Sequence, residues 1–275
     1  MEKRKKQKMT AANRPIAVFD SGIGGVSFLW QLRQTLPQED VIYYADLAHA
    51  PYGDKTKDFL IQRLLTITAE LRERQIKGLV MACNTATSAA VEVLRQTHPD
   101  LIILGMEPAI QLAVNQGEKK VVVLSTAVTS QAENTLALLA KNQGRAEFIN
   151  LGCPGLMELV ETVQQEPSSA HWGDIQSYLI KTLAPHLQKD EEAGIVLGCT
   201  HYIFLKKQLR QQFPHCRLYD GNEGTANHLQ RQLAQKNWLR QQNQHPRLLV
   251  ESSADAAALQ ERIEKALQQL TAWQS

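Results

Sequence analysis

Runs of four or five mostly apolar residues recur along the chain, separated by stretches whose apolar positions fall at helical spacing. The runs are IAVFD (16–20), VIYYA (41–45), GLVMA (78–82), LIILG (101–105), VVVLS (121–125), AEFIN (146–150), GIVLG (194–198) and RLYD (217–220). Apolar on both faces and rich in β-branched residues, they predict strands of parallel sheets covered by helices on both sides. Amphipathic stretches at 56–75, 130–142, 171–189 and 225–242 predict helices between them. The pattern is that of an α/β protein.

The chain also echoes itself. GLVMACNTATS (78–88) and GIVLGCTHYIF (194–204) share a glycine, an apolar strand, a small residue, a cysteine and then hydroxyl or amide side chains, at an offset of 116 residues. IAVFDSGIGG (16–25) and VVVLSTAVTS (121–130) repeat at an offset of 105. Offsets of this size are too long for a solenoid and suit two similar α/β halves.

Composition narrows the function classes. The 275 residues are 43% hydrophobic and 21% charged, enough for one large or two ordinary cores. The net charge is +2, but Met1 to Thr10 alone carry +4, leaving the remaining chain at −2. A slightly acidic body argues against nucleic acid as a partner. No run approaches a membrane span, and the basic start lacks the apolar stretch of a signal segment, so residues 1–13 read as a solvated tail. Cys83, Cys153, Cys199 and Cys216 form no C-x-x-C pair, which signals neither a disulfide framework nor a metal cluster and fits a reducing cytoplasm.

Ligands in open parallel sheets bind past the carboxyl ends of the strands, where Cys83 and Cys199 both fall. Each is followed by polar residues opening a helix, Asn84-Thr85 and Thr200-His201. Helix-start amides and hydroxyls hold carboxylates and favour thiolates, although simple N-capping explains the same residues. His201 is a natural proton partner for Cys199. Asp20 reaches either a neighbouring thiol, a substrate ammonium or merely its own loop. The glycines of DSGIGG (20–25) fail the dinucleotide fingerprint, since Ser27 occupies the third glycine position, and no G-K-[ST] phosphate loop exists. PYGDK (51–55) is a rigid loop in which Gly53 lets backbone approach a ligand. Cys153 and Cys216 lack polar surroundings of this kind and read as structural.

DSGIGG, ADLAHAPYG, MACNTATS, GMEPA, LGCPGLMELVE and LGCTHY, in that order, resemble the glutamate racemases of the cofactor-independent aspartate/glutamate racemase superfamily over residues 14 to 220. The resemblance implies two parallel-sheet α/β domains facing each other across a cleft. Residues 14–107 plus 216–275 would form the first domain and 108–215 the second. It implies Cys83 and Cys199 as the acid/base pair, Cys83 taking the proton from D-glutamate and Cys199 from L-glutamate, with Asp20 and His201 assisting their respective thiols and Glu161 as a further acid. Substrate contacts would come from Asp20, Ser21, Tyr52, Gly53, Asn84, Thr85, Thr126, Thr200 and His201. No cofactor or metal is implied. The expected product is D-glutamate for peptidoglycan precursors in the cytoplasm, from a homodimer, with a UDP-linked peptidoglycan precursor as an activator if the short tail matches the enterobacterial type. The sequence departs from the family pattern at Ile203 and Phe204 and in the segment 125–135. An aspartate racemase, a cysteine acyl-transfer enzyme or amidase with one nucleophilic thiol, and a two-lobed amino-acid binding protein are the alternative readings.

Overall fold

The computed structural model describes residues 10–188 and 190–272. Two all-parallel sheets form its frame. The first contains β1 (Ile16–Asp20), β2 (Val41–Ala45), β3 (Gly78–Met81), β4 (Ile102–Gly105) and β9 (Leu248–Ser252), ordered β4-β3-β1-β2-β9. The second contains β5 (Lys120–Ser125), β6 (Glu147–Gly152), β7 (Ala193–Gly198) and β8 (Cys216–Tyr219), ordered β6-β5-β7-β8. Read from its other edge, the second order is β8-β7-β5-β6, the counterpart of β4-β3-β1-β2. The two internal echoes of the sequence therefore fall on matching strands, β1 with β5 and β3 with β7.

The doubly apolar strand pattern has a direct packing counterpart. Ile16 and Val18 of β1 join Val122 and Leu124 of β5 in one large core that runs through both sheets. Their alternates, Ala17 and Phe19, pack on the far side of the first sheet, and Val121 and Val123 on the far side of the second. Period-two side-chain alternation thus builds a shared interior and two outer layers.

The sequence reading needs correction at several boundaries. Cys216 pairs with Ala193 and Tyr219 with Val196, so residues 216–219 belong to the second sheet rather than to the first domain. The chain leaves the first sheet after β4 and returns after β8, and the two crossings lie together: a Cβ on Gly221 would stand 3.2 Å from the Glu107 carbonyl oxygen. The expected 130–142 helix is two, Ala127–Gln131 and Glu133–Lys141, and the expected 225–242 helix is Asn222–Gln235. The expected tail falls partly outside the described residues, at 1–9. Its last part is not free chain: Ala11–Asn13 form a 3-10 turn, and the Ala12 carbonyl accepts a hydrogen bond from Lys77 Nζ at 2.7 Å. Ile203 and Phe204, two departures from the family pattern, are buried in the shared core. Among the described residues, no helix is long and apolar enough to cross a membrane.

Candidate active site

Five strand ends converge on one cavity of about 90 Å³, whose lining includes Ser21 after β1, Cys83 after β3, Thr126 after β5, Cys153 after β6 and Cys199 after β7. Tyr52, Gly53, Asn84, Thr85, Thr200 and His201 line it as well. The structure therefore brings together the expected contact residues, while Asp20 and Glu161 stand one contact behind the wall.

Cys83 caps the helix Asn84–Thr97, its sulfur accepting the Ala86 N–H at 3.5 Å, and the Ser21 hydroxyl lies 3.5 Å from the same sulfur. A helix N-terminus favours a thiolate. Burial works the other way and dominates, and with the nearby negative charge of Asp20 it pushes the Cys83 thiol up to about 12. Such a thiol is neutral at rest and a strong base once ionised.

The second thiol has a different environment. Cys199 Sγ lies 4.0 Å from His201 Nδ1, and His201 Nε2 lies 3.1 Å from Glu161 Oε1. Burial alone would lower His201, but its contacts with Cys199 and Glu161 outweigh that and hold it well above its usual value. Burial raises Glu161, but the His201 hydrogen bond together with the positive charges of His201 and Arg262 outweighs this, so its carboxyl sits below its usual value. The arrangement is a Glu161–His201–Cys199 chain with the imidazole charged.

Asp20, wholly buried, accepts from Gly22 N at 2.9 Å and from the Thr200 hydroxyl at 3.2 Å. Burial raises its carboxyl above the usual value despite the nearby His201. Asp20 thus bridges to the second sheet's loop and acts on Cys83 through its charge, while Ser21 makes the direct contact. Asn84 Nδ2 donates to the Met106 carbonyl at 3.0 Å. Thr85 and Thr126 hydroxyls are 3.1 Å apart, and Thr126 donates to Thr129 at 3.0 Å, a cross-lobe hydroxyl cluster. Tyr52 spends its hydroxyl on Asp46, at 2.7 Å, and faces the cavity with the rest of its turn.

Close approach of the two halves explains one glycine of DSGIGG. A Cβ on Gly24 would stand 2.3 Å from Thr200 Oγ1 and 2.6 Å from His201 Nδ1. Gly24→Ala must therefore displace the Thr200–His201 pair, and since misplacements of about 1 Å cost ~10²-fold in rate, kcat/KM is expected to fall by about that factor. Steady-state kinetics beside a thermal melt separate this from unfolding; wild-type kcat/KM would refute the packing argument.

Sequence reasoning missed Cys153 and Thr129. Cys153 directly follows β6, and its thiol is pushed up to about 12 by burial. The apolar run predicts a strand ending at 150; its actual end at Gly152 gives Cys153 the same post-strand position as Cys199. Among the described residues, no cluster of three or more His, Cys, Asp or Glu is placed to hold a metal ion.

Comparison with known proteins agrees with this geometry. Residues 29–229 match the Asp/Glu/Hydantoin racemase family. The glutamate racemase of Pseudomonas syringae pv. tomato is 42% identical over 82% of this chain and 80% of its own. That of Clostridium novyi is 38% identical over 90% of this chain and 94% of its own. The crystal structure of Escherichia coli glutamate racemase in complex with L-glutamate and the activator UDP-MurNAc-Ala superposes with a TM-score of 0.76 at 27% identity, covering 94% of this chain and 95% of that one. With two thiols on matching strand ends, one fold and this extent of identity, the chain belongs to the Asp/Glu/Hydantoin racemase family and, within it, to the glutamate racemases.

Proposed function

We propose that this protein interconverts L-glutamate and D-glutamate without a cofactor, by moving the α-proton between Cys83 and Cys199. The observation that carries the reading is the pair of thiols delivered to one cavity by β3 and β7, the matching strands of the two sheets. Inversion at a tetrahedral carbon requires a base on one face and an acid on the other. From D-glutamate, the Cys83 thiolate takes the α-proton and the Cys199 thiol delivers one to the opposite face, leaving the two sulfurs with exchanged protonation. The reverse reaction starts from the Cys199 thiolate.

The two supports differ because the sulfurs do. His201, charged and anchored by Glu161, stabilises the thiolate left on Cys199. Cys83 relies on Ser21 and the helix-start amide. Thr85, Thr126 and the amides of Asn84 and Thr85 suit a substrate carboxylate, and Asp20, one contact behind the wall, holds the Thr200 hydroxyl that lines the cavity. Both thiols are buried, so these dipoles act in a medium less polar than water.

The purified protein, given L-glutamate and no cofactor, should lose the circular dichroism of the substrate to zero; a constant signal would refute the reading. Glu161→Gln is expected to lower kcat by ~10²-fold. It removes one of the contacts that raise His201, so the imidazolium is lost at lower pH and the basic limb of the kcat/KM profile moves down; an unmoved limb would detach Glu161 from the chemistry. The reading carries with it a cytoplasmic homodimer and regulation by a UDP-linked precursor of the kind named for the Escherichia coli relative, checked by sedimentation and by kinetics with that compound.

A further inference from the structure

Behind the cavity wall lies a charged cluster that the two-thiol chemistry does not use. Asp46 directly follows β2 and is wholly buried without lining the cavity. Its Oδ1 accepts from Arg63 Nη2 at 2.8 Å and faces His49 Nδ1 at 3.0 Å. Its Oδ2 accepts from Arg63 Nε at 2.9 Å and from the Tyr52 hydroxyl at 2.7 Å. Close by, Ala48 N donates to Ser253 Oγ at 3.0 Å, tying the same loop to the end of β9. Burial raises Asp46, but the Arg63 fork and the Tyr52 and Ser253 hydroxyls overcome it and keep the carboxyl well below the usual carboxylate range. A two-toothed Arg–carboxylate pair is among the strongest and most directional contacts a protein makes.

What this cluster holds is a piece of the cavity. Pro51, Tyr52, Gly53 and Asp54 all line it, and the Tyr52–Asp54 turn packs against the helix Ala127–Gln131 of the other sheet's layer, whose Ala127 is also on the wall. The space beside Gly53, where a Cβ would stand, is open. The loop's own backbone bonds are local and partly long, such as Ala50 N to the Leu47 carbonyl at 3.4 Å and Lys55 N to the Tyr52 carbonyl at 3.2 Å. The turn is held by the Tyr52 ring, buried with its centroid 6.0 Å from that of Phe19, and from behind by the Tyr52 hydroxyl on Asp46.

We propose that Asp46 and Arg63 are positioning residues that fix the Tyr52–Asp54 turn as the substrate-facing wall where the two lobes meet, so that substrate capture depends on them and proton transfer does not. The inference rests on the cavity being the glutamate site. Neither residue touches the thiols; they govern how often the turn occupies the position that completes the cavity, so cutting the anchor weakens binding by the reciprocal of the fraction of time the turn stays in place.

The test is a kinetic comparison of wild type, Arg63→Met, Arg63→Lys and Asp46→Asn with both glutamate enantiomers, each beside a thermal melt. Arg63→Met is expected to raise KM about tenfold for both enantiomers with kcat within about threefold, the signature of lost uniform binding. Arg63→Lys, which keeps the charge but not the fork, should raise KM by less, and Asp46→Asn should match Arg63→Met. A purely structural anchor would lower the melting temperature and leave KM of the folded protein at the wild-type value, which overturns the proposal, as does a fall in kcat at constant KM. If Arg63→Met does not fold, Arg63→Lys decides by the same criterion. A wild type that fails to turn over glutamate would refute the functional reading instead, whereas wild-type turnover with unmoved KM in the variants refutes the anchor alone.

Discussion

Serine in place of either Cys83 or Cys199 alone is expected to reduce racemisation in both directions by ~10⁴-fold or more, the upper range for removing a general acid or base. A hydroxyl keeps the shape of the thiol but is far too weak an acid and too poorly ionised to replace it. Both directions fail in each variant, because each sulfur is base in one direction and acid in the other. The two variants are nevertheless not equivalent. A glutamate analogue carrying a leaving group on the β-carbon needs only the abstracting base, so Cys83→Ser should retain elimination from the L-form and Cys199→Ser from the D-form. Quantifying racemisation by circular dichroism and elimination by keto-acid release gives a crossed pattern. Substantial racemisation by Cys199→Ser would eliminate the two-base mechanism, and retained amide or ester cleavage would favour a single nucleophilic thiol.

The largest expected effect on stability lies at the opposite end of the first sheet. Lys77, just before β3, has a side chain with no exposure, and its Nζ donates to Glu39 Oε2, to the Ala12 carbonyl at 2.7 Å and to the Trp238 carbonyl at 2.8 Å. Glu39 is buried as well and accepts from Arg240 N at 3.0 Å through its other oxygen. One ammonium thus ties together the chain start, the segment before β2 and the segment after the helix Asn222–Gln235. Lys77→Met would strand a buried carboxylate and two carbonyls. Breaking one side of a buried pair costs about 3–5 kcal/mol, which for a chain of this size is a fall of roughly 10 °C in melting temperature. Lys77→Met combined with Glu39→Leu should recover much of the loss, since the stranded charge is then gone. A single variant melting within about 2 °C of wild type would contradict the role given to this node. The contact also bears on truncation: removing residues through Ala12 takes away a partner of Lys77.

How much of this was legible in the sequence depends on whether the signal is local. β1, with five consecutive buried positions, reads as a continuous apolar run and was found, as were the other central strands. β9 was not: it pairs only with β2 on the sheet edge, most of its positions are partly exposed, and Glu251 and Ser252 end its apolar run after three residues. The helix after β8 overran in the reading because Trp238 and Leu239 continue an apolar rhythm. The chain turns at Asn237, whose φ of 55° is the left-handed cap that Asn, after Gly, best tolerates. At the site, the cysteines on β3 and β7 were legible because two local patterns repeat. Asp46 and Arg63 were not, because their meaning arises only when a helix brings residues 17 apart into a fork behind Tyr52. Thr129 likewise acquires its role from Thr85 and Thr126, across the two sheets' layers.

The central claim, that two thiols work on opposite faces of one carbon, is tested most directly by isotope placement in deuterated water. With L-glutamate as substrate and the reaction stopped early, the D-glutamate formed should carry deuterium at the α-carbon, because its proton comes from the solvent-exchanged Cys83 thiol, while the remaining L-glutamate keeps its original hydrogen. Deuterium entering the recovered L-glutamate as fast as it enters the product would mean that a single base serves both faces, and would contradict the assignment of Cys83 and Cys199 to opposite sides.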